Sequence, residues 1–295
     1  MKIVYCFCLM LISVFAQAQT NINFKSNGDA NTLFWEISGN GLQTPSYLYG
    51  TFHLMCRQDI NFSASIKQAI SNTHKLYLEL DLDDPATLMG GLMLMNMKDG
   101  KKLKDLYSDS DYNRIAGYFR DSLNTPISLF QRMKPEFLVA LLYPKMMPCN
   151  ATGSIEEALM QLAKEAGKEI KGLETMAFQA AIFDSIPYEN QAAELLHTID
   201  SMKQARAYFG LMLQAYKEQR LDKIENILNN PAYGSTDNQD VLLDNRNRNW
   251  VLQLQEIMKN GSAFIAVGAG HLVGKNGLIA LLKAEGFTVR GLENR

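Results

Sequence analysis

An apolar strand running into Gly-x-x-His, followed by an amphipathic helix and a second strand, occurs twice in this chain of 295 residues. The first copy runs Tyr47-Leu48-Tyr49-Gly50-Thr51-Phe52-His53, continues through a helical stretch from Ala64 to Asn72, and ends in a strand from Lys75 to Leu80. The second runs from Ala263 to Val267, then Gly268-Ala269-Gly270-His271, a helix from Gly277 to Glu285, and a strand from Phe287 to Arg290. Ligands of parallel sheets gather at the carboxyl ends of the strands. Two imidazoles far apart in the chain therefore reach one crevice if their strands lie side by side. The glycine before each histidine is expected to let the backbone turn sharply and lift the ring over the sheet edge.

The start of the chain reads as an export signal: Lys2, an apolar run from Ile3 to Phe15, then Ala16-Gln17-Ala18 as a small-residue cleavage site. On this reading residues 1–18 are a signal peptide and the product is periplasmic or secreted. No later apolar run reaches the length of a membrane span, so no transmembrane segment is expected in the processed chain. A formal net charge of −2 with no basic stripe argues against nucleic acid as a partner. Of four cysteines, Cys56 and Cys149 lie beyond the signal. A single pair in an oxidising compartment is read as a disulfide rather than a metal site, because Cys-x-x-Cys spacing is absent.

The expected fold class is mixed α/β, with a largely parallel sheet from two pseudo-symmetric halves and an added helical lobe. Thr32 to Ile37 and Ser46 to Tyr49 read as a hairpin around Gly39-Asn40-Gly41. Ile155 to Ala166 reads as a helix with Ser154 and Glu157 as a capping box and Gly167 as its stop, leading to a further parallel strand from Glu169 to Leu173. From Tyr188 to Asn229 only helical periodicity is found, giving a lobe at about residues 184–230.

His53 and His271 are the leading site candidates. Glu79 follows: on an interior strand an ionised carboxylate needs a cation or strong donors, whereas on an edge it is merely solvated. Glu174 ends another strand and is equally at home in a shared crevice or a solvated loop. Arg246 and Arg248 precede the second histidine strand, where a guanidinium fork can hold an oxyanion or pair with Asp240 or Asp244. His74 and His197 are expected to be structural. The chain lacks His-Glu-x-x-His, Gly-x-Ser-x-Gly, a Walker loop and a dinucleotide fingerprint.

These residues together, Leu48 to His53, Tyr77 to Asp81, Gly172-Leu173-Glu174-Thr175, Arg246-Asn247 before Trp250, and Val267 to Leu272, resemble the TraB/GumN/Tiki family over nearly all of the processed chain, 19–295. The resemblance implies a fold like the erythromycin esterase and ChaN group, with the histidines facing each other across a cleft. It also implies a metal-dependent peptidase acting on an extracytoplasmic peptide or protein and using Mn or Co. Histidine with oxygen ligands suits Zn as well, so the expected cofactor is a divalent ion, Mn, Co or Zn. Carried over, His53, His271 and Glu79 are metal ligands, and Glu79, Glu174 and Arg246 are catalytic or supporting groups. Two other readings share these residues: a haem or small-ligand binding protein, and a peptide-binding module with structural histidines.

Overall fold

The computed structural model describes residues 24, 31–231 and 238–294; the signal-peptide reading of residues 1–18 falls outside them. In chain order the elements are β1 (Phe34–Ser38), β2 (Ser46–Thr51), β3 (Met55–Cys56), α1 (Ala64–Asn72), β4 (Lys75–Leu80), α2 (Pro85–Leu94), α3 (Asp109–Leu123), α4 (Pro135–Ala140) and α5 (Tyr143–Met146). There follow β5 (Thr152–Gly153), α6 (Ile155–Glu165), β6 (Glu169–Glu174), α7 (Met176–Ser185), α8 (Tyr188–Asp200), α9 (Met202–Lys217) and α10 (Leu221–Leu228). The chain then forms α11 (Asn245–Lys259), β7 (Ala263–Gly268), α12 (Leu278–Ala284) and β8 (Thr288–Gly291).

Six strands form one sheet in the order β6-β4-β7-β2-β1-β8. β6, β4, β7 and β2 are mutually parallel, while β1 runs antiparallel to both β2 and β8. The two histidine strands are neighbours, with Gly50 opposite Val267 and Thr51 opposite Gly268. Their composition explains the central position: every residue of β2 and all but the last of β7 are buried, as expected for strands covered on both faces. Each Gly-x-x-His unit crosses over its neighbours, β2 past β7 to β4, and β7 past β2 and β1 to β8. These crossovers run in opposite directions along the sheet. Right-handed connections therefore place α1 and α12 on opposite faces.

Local chemistry fixes the ends of these elements. Gly39, Asn40 and Gly41 all take positive φ in the β1–β2 turn, which suits glycine and asparagine. Ser63 caps α1 by accepting from Ile66 N at 3.3 Å, and Ile66, Ala69 and Ile70 form its buried face. Ser154 caps α6 through Glu156 N and Glu157 N, with Gly167 beyond its end at φ +67°. The two Gly-x-x-His glycines serve a different purpose from the one expected. Gly268 has φ −49°, and neither it nor Gly50 takes positive φ. A β-carbon on Gly50 would stand 3.1 Å from Leu272 and 3.2 Å from Ala269 and Leu33. The requirement is close packing rather than an unusual turn.

A second apolar core lies apart from the sheet. It joins Met97, Leu103, Ile115, Phe119, Ile127 and Leu138 to Leu195, with Leu196, Ile199 and Phe209 packed against it. The helical lobe is thus built from both 97–146 and the 188–209 stretch, so it is wider than the interval read from periodicity alone. Lys134 is buried within it and donates to Leu94 O and Ala180 O, both at 2.9 Å, while pairing with Asp184 at 2.9 Å. Cys56 and Cys149 are bonded, tying β3, just after His53, to the chain that follows α5. Among the described residues no helix is long and apolar enough to cross a membrane.

Candidate functional site

The carboxyl ends of β2, β4, β6 and β7 carry the site. β4 lies between β6 and β7, so Glu79 is interior. Its Oε1 accepts the Gly268 backbone N–H at 2.8 Å. A β-carbon on Gly268 would stand 3.3 Å from Glu79 Oε1, 3.6 Å from His53 Nε2 and 3.7 Å from His271 Cδ2. Both imidazoles and the carboxylate therefore surround one point at the mouth of β7. That is a second, stronger reason for glycine there, since any side chain would fill the space between them.

Each ring is held by its Nδ1. His53 Nδ1–H donates to Glu156 Oε1 at 2.7 Å, and Glu156 Oε2 in turn accepts from the Ser154 hydroxyl at 2.6 Å. His271 Nδ1–H donates to Asn247 Oδ1 at 2.7 Å; the Asn247 amide is itself fixed by Asn276 O at 2.8 Å and His271 O at 3.3 Å. Because carboxylate and amide oxygens only accept, these contacts put a proton on each Nδ1; in the neutral ring this leaves the Nε2 lone pair toward the cleft, where that of His271 accepts from Arg246 Nη1.

Arg246 sits in the first turn of α11, directly after a π-helical turn at Asp240–Asp244, and its guanidinium stacks 4.7 Å from Trp250 one turn on. It reaches three site residues at once. Nη2 donates to Glu79 Oε2 at 2.6 Å and Glu174 Oε2 at 2.8 Å; Nε donates to both Glu174 oxygens at 3.1 Å; Nη1 donates to His271 Nε2 at 3.1 Å and Leu242 O at 3.0 Å. Trp250 also lies against His271, with ring centroids 4.5 Å apart.

The two histidines differ electrostatically. The His271 side chain is 5% exposed; burial, only partly offset by Glu79, lowers its pKa to about 4. The His53 side chain is 69% exposed. Desolvation within the cleft opposes its protonation, but the hydrogen bond and charge of Glu156 and the charge of Glu79 outweigh this and raise it to about 9. Burial disfavours the Glu79 carboxylate, yet His271, Arg246, His53 and the Gly268 N–H together hold it down to about 2. Neighbouring groups with pKa values driven apart in this way mark candidate functional sites.

His53, Glu79, Arg246 and His271 line one cavity of about 1150 Å³ beneath the helical lobe. A sequence model of the TraB/PrgY/gumN family matches residues 33–291. The chain belongs to the TraB/PrgY/gumN family. Metalloprotease TIKI2 of Danio rerio is 21% identical over 90% of the chain and 61% of its own length, and metalloprotease TIKI1 of Danio rerio is 22% identical over 88% and 63%. Metalloprotease TIKI2 of Xenopus tropicalis is 22% identical over 90% and 60%. The chain thus spans about three-fifths of the length of these curated relatives. No solved structure gives a significant match.

In this TraB/PrgY/gumN chain the donor chemistry fits a divalent cation. Two imidazole Nε2 atoms with Nδ1 held by second partners, beside a carboxylate, are groups that bind first-row metals. Among the described residues, no three or more His, Cys, Asp or Glu side chains stand as a ready-made cage. The positive charge between Glu79 and His271 belongs instead to Arg246.

The remaining candidates fall where the structure puts them. Glu174 is buried, with both oxygens on Arg246. Arg248 is exposed and donates to Asn245 at 2.8 Å, apart from these groups. His74 hydrogen-bonds Ser262 at 3.0 Å, whereas His197, expected to be structural, lines the cavity. Glu156 and the supporting part played by Asn247 escape a reading of the sequence. Asn247 adjoins Arg246 in the motif and so carried a signal; Glu156 is one of two glutamates opening α6, with nothing to single it out.

Proposed function

We propose that this chain is an exported metal-dependent peptidase that cuts a peptide bond in an extracytoplasmic peptide or protein. The observation that carries the proposal is the meeting of His53 Nε2, Glu79 Oε1 and the His271 ring around one point in a large cavity. The relatives named metalloproteases support the reaction class, and the Cys56–Cys149 bond supports an oxidising compartment.

On this reading His53, His271 and Glu79 hold a divalent ion, Mn, Co or Zn. When bound, such an ion supplies Lewis acidity that polarises a carbonyl and lowers the pKa of water. Glu156 and Asn247 keep each Nε2 aimed at the cavity. Glu79 lines the cavity, whereas Glu174 is turned toward Arg246, so Glu79 is the carboxylate placed to touch ion or water. Arg246, whose N–H donors are taken by Glu79, Glu174, His271 and Leu242, acts as a supporting group that positions Glu79 and His271 at the cavity. Glu174 and the Trp250 ring hold the guanidinium in place.

The test is cleavage of a peptide library with added Mn, Co or Zn by the wild type, His53→Ala and His271→Ala. Loss of cleavage in both folded variants is the expected result. Full cleavage by either one overturns the shared site. A Soret band on haem titration, with no cleavage, would replace the peptidase reading with the ligand-binding one.

A further inference from the structure

The cavity that holds the histidines continues under the helical lobe. There Phe52, Phe209 and Tyr143 form one aromatic wall: Phe52 and Phe209 meet edge to face at 5.5 Å, and Phe209 and Tyr143 are 5.7 Å apart. Val139, Met146 and Met212 add to the apolar lining. Phe52 is the residue before His53, so the wall starts from the site itself. The Phe52 ring also packs 5.3 Å from Tyr216, whose hydroxyl donates to Gly50 O at 2.8 Å. That bond fixes the lobe against the first Gly-x-x-His unit and sets the distance from wall to imidazole.

A volume of about 1150 Å³ is far more than an ion and its waters need, and lies just above the range of about 300–1,000 Å³ usual for pockets that enclose organic ligands. Aromatic rings and methionines make a surface suited to large apolar groups, the rings through edge contacts and the thioethers through adaptable shape. Beyond the wall, Glu136 and Glu194 border the same cavity. Burial, with the charge of Glu194, raises the Glu136 carboxyl, so this end disfavours an added anion.

Resting on the peptidase reading, we propose that the lobe end of the cavity is the pocket for a large apolar, preferably aromatic, side chain of the substrate peptide beside the bond that is cut. Phe52, Tyr143 and Phe209 are its specificity-determining residues. A small side chain leaves the wall uncovered, and an acidic one meets Glu136 and Glu194.

The test uses short blocked synthetic peptides that differ at one central residue, Phe, Leu, Ala or Asp. Binding to the metal-free protein is measured by calorimetry, and cleavage is measured separately with Mn, Co or Zn. The Phe and Leu peptides are expected to bind about tenfold more tightly than Ala, Phe the tighter of the two, as hydrophobic pockets discriminate, with Asp the weakest. Phe209→Ala is expected to bring the Phe-to-Ala ratio to about one. If that variant does not fold, Phe209→Leu, which keeps volume but not the ring, is expected to lose the preference for Phe over Leu. Equal binding of Phe and Ala peptides by the wild type, or an unchanged preference in the folded variants, overturns the pocket. Selective binding with no cleavage under any metal overturns the peptidase reading and leaves the pocket standing.

Discussion

Arg246 grips Glu174 through three hydrogen bonds of 2.8 to 3.1 Å while a fourth, at 2.6 Å, reaches Glu79. One guanidinium thus bridges two carboxylates that arrive on adjacent strands, β6 and β4. Removing it strands both. Arg246→Met is expected to cost about 3–5 kcal/mol, the usual penalty for leaving a buried charge unpaired. Urea unfolding at neutral pH in the presence of chelator measures it; a loss below about 1 kcal/mol would mean that water already screens the pair.

The same arrangement sets an acid limit. Glu79 has a folded-state pKa of about 2 against an ordinary value of 4.5. A depressed carboxylate contributes stability that is present above its unfolded value and disappears as pH falls through its folded value. The metal-free protein should therefore lose this contribution between about pH 4.5 and about pH 2. Arg246→Met should show a shallower decline across that window in denaturation curves.

The histidines predict opposite titrations. In chelator-treated protein, NMR should show His53 losing its proton near pH 9 and His271 taking one up only near pH 4. A raised histidine contributes stability that is full below its unfolded value of 6.5 and is lost as pH rises through 9. Glu156→Gln removes the larger of the two charges responsible, so the His53 titration should fall and the alkaline loss should move to lower pH. An unmoved titration would show that Glu79 alone holds the proton.

Asn247 acts through His271. Replacing it with Ala frees Nδ1 and lets the ring rotate or change tautomer, and such second partners are worth about 10–100-fold in metal affinity. Calorimetry with Mn or Co should show weakening of that order in Asn247→Ala, without loss of the fold. Unchanged affinity would mean that packing against Trp250 suffices to orient the ring.

The bond between Cys56 and Cys149 closes a loop with a sequence separation of 93 residues that contains the β4 strand and much of the lobe. Constraint of the unfolded chain by a loop of that size is worth about 4–5 kcal/mol in the entropic model. A reductant should lower the urea midpoint accordingly. No change would place the cysteines in thiol form.

What could be read in advance followed from periodic, local signals. The strands at Ser46 to Thr51 and Ala263 to Gly268 and the Ser63 and Ser154 caps depend on residue types at short spacings, and the disulfide was legible because Cys56 and Cys149 are the single pair beyond the signal. The pairing of β2 with β7 was legible only through repetition, because nothing local to either strand names its partner. Glu174 was ambiguous for a related reason: an acidic residue at a strand end looks the same whether it meets water or a buried arginine 72 positions later. Glu156 was hidden because the capping pattern that starts at Ser154 singles out its neighbour Glu157 instead. The lobe was read too narrowly, since the prolines between Pro126 and Pro148 break the helical period while Leu138 and Leu142 still reach the shared core.

Ser46 receives the amide of Ala263 from 217 residues away. Such a pairing forms only after most of the polypeptide has already been made, and contacts of this range are slow to close. Before it closes, β1 and β2 on one side and β4 and β6 on the other are separate fragments with bare edges, each open to the wrong neighbour. Insertion of β7 therefore joins two half-sheets and brings the imidazoles together, so a misassembled molecule also lacks the paired rings.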